Sequence, residues 1–146
     1  MKKRMRLRII GILCVVAAVI LGASCSRNNG DIGVWFGLWK VESIEVDGEP
    51  AADYDGNVFF QFQGKVFNMR KITEHHVYTD RFGNWEEKGE TLKLTFPDDR
   101  YVPFDETRMG TECTLSIEKK SGSEIEMSFV QGETGSIVRL RLVKWV

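Results

Sequence analysis

Few side chains in this sequence stand at spacings that chemistry would use. His75 and His76 are the two histidines. As neighbours near the start of a strand they project to opposite sides, so one metal ion cannot easily take both. No Cys or Asp stands where it would supply a third zinc ligand. Asp53-Tyr54-Asp55-Gly56-Asn57 has the Asp-x-Asp-x-Asn spacing that opens a calcium loop. Such a loop also needs Gly at its sixth position and Glu at its twelfth, where Val58 and Gly64 stand, so an acidic, solvated loop is expected. Glu86-Glu87 and Asp98-Asp99 pair carboxylates, yet glycoside chemistry requires two acids facing each other across a bond in unlike environments. Adjacent residues on one segment do not meet that demand. No serine lies near a plausible His/Asp arrangement, and Cys113 falls on the apolar face of a strand, where a thiol behaves as a small hydrophobe. The expectation is a protein that is not an enzyme, with no metal site and no cofactor.

The elements that position these residues alternate with period two. Leu92, Leu94 and Phe96 alternate with Thr91, Lys93 and Thr95; Cys113, Leu115 and Ile117 alternate with Thr114, Ser116 and Glu118. Val58, Phe60 and Phe62, then Ile125, Met127 and Phe129, then Val138, Leu140 and Leu142 repeat the pattern. Each run reads as a strand with one buried and one wet face. Eight strands are predicted, over 38–47, 58–63, 65–72, 77–87, 91–96, 111–119, 124–130 and 136–145, with Phe82-Gly83-Asn84 marking a bulge or bend. Gln63-Gly64-Lys65, Lys88-Gly89-Glu90 and Ser121-Gly122-Ser123 are short hairpin turns, whereas 48–57 and 97–110 are long. In an up-and-down meander the tight turns fall at one end and both long loops at the other. That asymmetry predicts an all-β, eight-stranded antiparallel up-and-down barrel with a closed floor and a looped rim, wide enough for side chains or one small ligand.

Ahead of this domain, Met1-Lys2-Lys3-Arg4-Met5-Arg6-Leu7-Arg8 is basic, and the apolar run 9–23 leads to Ser24-Cys25. That is the layout of a secretory signal peptide, with an apolar run too short for the ~20 residues of a membrane-spanning helix. Leu21-Gly22-Ala23-Ser24-Cys25 resembles the lipobox of bacterial lipoproteins, which implies cleavage after residue 24 and a lipid anchor on Cys25; it departs from the pattern in having Gly22 where a large aliphatic residue usually stands. The rival is a plain secretory signal with an incidental Cys, in which case Cys25 and Cys113 can bridge. The chain then divides into a signal peptide (1–24), the lipidated Cys and a short tether (25–31) and the β domain (32–146). Five of the 20 basic residues leave with the signal, and the remaining 15 face 21 acidic ones for a formal net charge of −6. Such a surface repels phosphate backbones, so nucleic acid is excluded as a partner.

Gly37-Leu38-Trp39, at the start of the first strand, resembles the Gly-x-Trp signature of lipocalins and lipocalin-like domains. With the lipobox-like segment before it, the chain resembles the lipocalin-like lipoproteins of Bacteroidetes. The resemblance implies that Gly37 and Trp39 form the closed end and that a basic residue of the last strand packs across the Trp39 indole. Arg139 and Arg141 are the candidates, with Arg141 favoured. An immunoglobulin-type sandwich is the alternative fold, but its Cys…Trp…Cys core and tyrosine corner are not found.

Two functions follow from this reading. In one, the barrel holds a small hydrophobic or amphipathic ligand, contacted by Phe60, Phe62, Phe96 and Met127 inside and by Tyr101 and Phe104 on the rim loop 97–110. In the other, the barrel is filled and its rim or outer face docks an envelope protein. Both place the protein in the bacterial cell envelope, held to the membrane through Cys25. Ser26 after the Cys resembles an outer-membrane sorting signal, and the periplasmic face is expected.

Overall fold

The computed structural model of the protein describes residues 33–97 and 99–146. The signal segment, Cys14, Cys25, the tether and Asp98 lie outside the described residues. The alternating runs become one meander: β1 (Gly37–Val46), a two-residue return β2 (Glu49–Pro50), then β3 (Val58–Gln63), β4 (Val66–Ile72), β5 (Tyr78–Lys88), β6 (Thr91–Thr95), β7 (Glu112–Lys120), β8 (Glu124–Val130) and β9 (Ile137–Lys144). All neighbours pair antiparallel, and β1 pairs with both β3 and β9. The eight long strands therefore close into a barrel, which removes the exposed edges that an open sheet would present. Residues Ile32–Val146 form a compact unit with their own core.

β2 has no counterpart in the sequence pattern. It forms because Asp47 and Gly48, both at positive φ, turn the chain back on β1, pairing Val46 with Glu49. The bulge expected at Phe82-Gly83-Asn84 is absent, since β4 and β5 pair in one unbroken register from Val66↔Asn84 to Ile72↔Tyr78. Gly83 instead permits a close approach: a Cβ there would lie 2.5 Å from the Thr95 carbonyl oxygen. The irregularities fall elsewhere, between Val41 and Ser43 on β1 and between Ile117 and Lys119 on β7.

Alternation sets the core. Trp39, Phe60, Phe62, Phe67, Met69, Leu115, Met127 and Leu140 are fully buried. Phe60 and Phe62 meet Phe67 with ring centroids 5.0 and 5.1 Å apart, and Phe67 meets Phe96 at 6.0 Å. These tilted and edge-on contacts fill the body of the barrel with side chains.

The floor is sealed by a short 3₁₀ turn, Gly33–Trp35, which enters ahead of β1. Trp35 is buried against Phe62 (4.7 Å) and Trp85 (5.9 Å), and its Nε1 donates to Glu87 Oε2 at 2.6 Å. Trp39 Nε1 donates to the Trp35 carbonyl at 3.0 Å, so the two indoles form one plug. The cation over Trp39 is Lys144, with Nζ 4.4 Å from the ring centroid, and not Arg141. Strand parity is the reason. Val138, Leu140 and Leu142 face inward, so Lys144 continues that face opposite Trp39 while Arg141 points outward and pairs with Glu124 at 2.5 Å. Lys144 also donates to the Phe36 carbonyl, and burial lowers its pKa. Gly37 makes room for this lysine. Its φ is +113°, and a Cβ there would lie 2.8 Å from Lys144 Nζ and 2.7 Å from the Val146 carbonyl oxygen.

Candidate functional site

The opposite end is built by strands of unequal length. β5 runs for 11 residues and β6 for five, and their pairing begins only at Asn84↔Thr95. The rim half of β5 thus has no strand on that side, and the long connection 96–111 folds over to take its place. It carries two 3₁₀ turns, Asp99–Tyr101 and Asp105–Thr107. Tyr101 packs edge-on against Phe82 at 5.9 Å. Thr107 is fully buried, and its hydroxyl donates to the Phe104 carbonyl at 2.7 Å.

Two ion pairs hold this loop across the mouth as a lid. Lys71 Nζ donates to Glu106, and Arg108 donates to Asp53 at 2.6 Å and to the Glu106 carbonyl at 2.8 Å. Burial opposes ionisation of Glu106 most strongly, but the hydrogen bond from Lys71, the Glu106 backbone amide and the Lys71 charge together hold its carboxyl below the usual range. Asp53, from the acidic loop, is likewise lowered, chiefly by the Arg108 hydrogen bond. That loop also carries Tyr54, whose hydroxyl donates to the Val41 carbonyl and whose pKa is raised by burial.

Beside the lid the wall opens. β7 and β8 pair only as far as Ser116↔Ser128; the next facing positions in that register, Leu115 and Phe129, do not pair with each other. A cavity of about 540 Å³ lies in this gap, lined by Met109 and Gly110 of the lid, Glu112–Thr114 of β7, Phe129 and Val130 at the end of β8 and Gln131–Glu133 after it, with Asp105 and Arg108. Met109, Cys113 and Phe129 form its inner wall and retain 6–8% exposure, whereas Phe60, Phe62 and Met127 below retain none. Burial pushes the Cys113 thiol up to about 12, so it is a neutral, apolar wall group. On the far flank of the lid a second cavity, about 290 Å³, is lined by Lys71, Arg81 and residues 102–106.

The structure thus brings Phe60, Phe62, Phe96 and Met127 together in the packed body, where they do not line the large cavity. Phe104 lines the smaller one, and Tyr101 packs on β5 from the lid. His75 and His76 do not start a strand; they lie exposed in a 3₁₀ turn between β4 and β5, both at positive φ. The mouth residues that the sequence pattern missed are Lys71, Arg81, Glu106 and Phe129. Phe129 lay on an inward face already recognised, while the two cations sit on inward faces whose apolar alternation stops short of the rim.

A family model described as a lipocalin-like domain matches residues 19–131. Solved structures that resemble the chain include two from Bacteroides species. A lipocalin-like protein from Bacteroides uniformis is 21% identical, with a TM-score of 0.59, over 77% of this chain and 100% of that one. An uncharacterized protein from Bacteroides eggerthii is 15% identical, with a TM-score of 0.57, over 76% and 99%. No curated protein matches.

Proposed function

The chain belongs to the lipocalin-like domain family, and from that premise we propose that it is a binding module, not an enzyme, taking a small hydrophobic or amphipathic molecule at the lidded mouth of its barrel. The observation that carries this reading is the cavity between β7 and β8. Its volume of about 540 Å³ falls within the range of small-molecule sites, and it joins an apolar inner wall to a polar outer rim. The packed body below limits entry, so the ligand lies under the lid and does not displace Phe60 or Met127. Native mass spectrometry of the protein, gently released from its own membranes, should show one co-purifying small molecule that is lost from Phe129→Lys. A ligand-free spectrum across mild release conditions would sink the proposal.

The location is part of the same proposal. Cys25 carries a lipid anchor that holds the domain to the outer membrane facing the periplasm. Entry of the chain at the floor, through Gly33–Trp35, then turns the lid away from the bilayer. Labelled palmitate should enter the protein and be lost from Cys25→Ala; label retained in that variant would remove the anchor.

The filled body favours a second reading, in which the rim docks another envelope protein. Val77, Val102, Val130 and Ile137 are exposed there. Site-specific crosslinkers at Val102 and Ile137 should then capture one dominant partner, and a diffuse pattern of products would count against it.

A further inference from the structure

The inward face of β5 carries a cation with no carboxylate partner among the described residues. Arg81 stands opposite Met69 in the β4–β5 register, on the same face as buried Gly83. Among the described residues its buried Nε has no acceptor, and Nη1 reaches the Asp80 carbonyl at 3.3 Å. Phe104 of the lid covers the guanidinium, with Cζ 5.0 Å from the ring centroid.

Other arginines of the barrel are treated differently. Arg70, on the outer face of β4, donates to both oxygens of Asp80 at 2.7 and 3.1 Å and lies over Tyr78 at 4.4 Å. Arg108 has Asp53, Arg139 has Glu118 and Arg141 has Glu124. Lys71, which shares the mouth with Arg81, is met by Glu106. In a chain with 21 acidic residues, an inward guanidinium without a carboxylate is a departure from the pattern. A buried donor left without an acceptor is destabilising, more so when charged, and a planar fork of donors matches a carboxylate or phosphate.

Arg81 borders the 290 Å³ cavity together with Lys71, Val102, Pro103, Phe104, Asp105 and Glu106; the Glu106 carboxylate there is met by Lys71, and Asp105 is exposed. At ~30 Å³ per water this is room for a headgroup and several methylenes. We infer that Arg81 is an anion subsite of the barrel mouth, which selects amphiphiles carrying a carboxylate or phosphate headgroup over neutral ones. The inference rests on the reading of the mouth as a ligand site and extends it to the second, smaller cavity, which Arg81 borders.

The test uses the barrel, residues 26–146, whose core is its own, in calorimetric titrations with decanoate, decyl phosphate and decanol. The two anions should bind at least ten times more tightly than decanol. Arg81→Gln should abolish that preference while leaving decanol affinity within twofold, and Arg81→Lys should retain part of it. Equal affinity for all three probes in the unaltered protein, or an unchanged preference in a folded Arg81→Gln, overturns the subsite. A preference for only one of the two anions identifies which headgroup the subsite takes. If none of the three binds, the small-ligand reading fails, and the subsite is judged separately with inorganic phosphate. Millimolar phosphate should then shift the Arg81 Nε–H nuclear resonance and leave that of Arg70 in place; an unmoved Arg81 signal rejects the subsite on its own.

Discussion

Cys113 offers a direct reading of whether the lid controls access to the mouth. It is the sole thiol of residues 26–146, and it lines the cavity that Met109 and Gly110 cover. Burial pushes its pKa up to about 12, so near neutral pH the closed barrel holds far less thiolate than an open one. The perturbation is Glu106→Gln, which replaces the charged acceptor of Lys71 at the lid. The two side chains are 19% and 26% exposed, so the bond lies between a surface pair and a buried one. Removing its charge should cost the closed lid about 1–2 kcal/mol, a five- to thirtyfold rise in the open fraction. Alkylation of Cys113 by N-ethylmaleimide under pseudo-first-order conditions should accelerate by that factor. Glu86→Gln, which alters a pair with Lys88 exposed to water, should leave the rate within twofold. An unaccelerated Glu106→Gln protein, or equal acceleration in both variants, would refute the lid.

Further outcomes follow from the floor and the outer face. Lys144→Met should lower unfolding free energy by about 1–2 kcal/mol through loss of a partly desolvated cation–π contact, whereas Arg141→Met, at an exposed pair, should change it by less than about 1 kcal/mol; urea unfolding checks both, and the reverse order would restore Arg141 to the floor. Trp35→Ala should cost about 3–5 kcal/mol in the same assay, because it empties a plug packed on Phe62, Trp85 and Trp39; a loss under about 1 kcal/mol would show that the turn Gly33–Trp35 does not seal the barrel. Asp80 has its pKa lowered below 3.8, first by the Arg70 hydrogen bond and also by Asn68 and the Arg70 charge, against burial. Its stabilisation is therefore present above the unfolded value and lost as pH falls through the folded one. Asp80→Asn should thus be less stable than the parent at pH 6 and converge with it near pH 2, and a difference that persists unchanged at pH 2 would contradict this.

The barrel was readable because its signal is periodic. Alternation in β3, β6, β7, β8 and β9 fixed which faces point inward, and Gly-centred turns fixed which end is the floor. The same alternation also determined the floor cation. Once Val138, Leu140 and Leu142 point inward, Lys144 must follow them and Arg141 cannot. The Gly-x-Trp resemblance implied a basic residue of the last strand, for which Arg141 was favoured by its nearness to the closed end; parity outranks nearness because register is set by the whole strand. Trp35 was hidden in an apolar approach with no period, and only tertiary contact identifies it as a plug. The mouth was the least legible part. The 11-residue β5 beside the five-residue β6 implies a missing stretch of wall, but not that 96–111 fills it. Nor does local sequence reveal that β7 and β8 part after Ser116↔Ser128, because that separation is a relation between strands.

Methionine methyl resonances give the most direct test of where a ligand sits. Beyond the signal segment the chain has three methionines, one in each region at issue: Met109 in the large cavity, Met127 in the packed body and Met69 opposite Arg81. With methyl-labelled barrel, titration of decanol should shift Met109 saturably while Met127 stays in place. A shift of Met127 larger than that of Met109, or no saturable shift at Met109, would contradict the placement of the ligand at the lidded mouth.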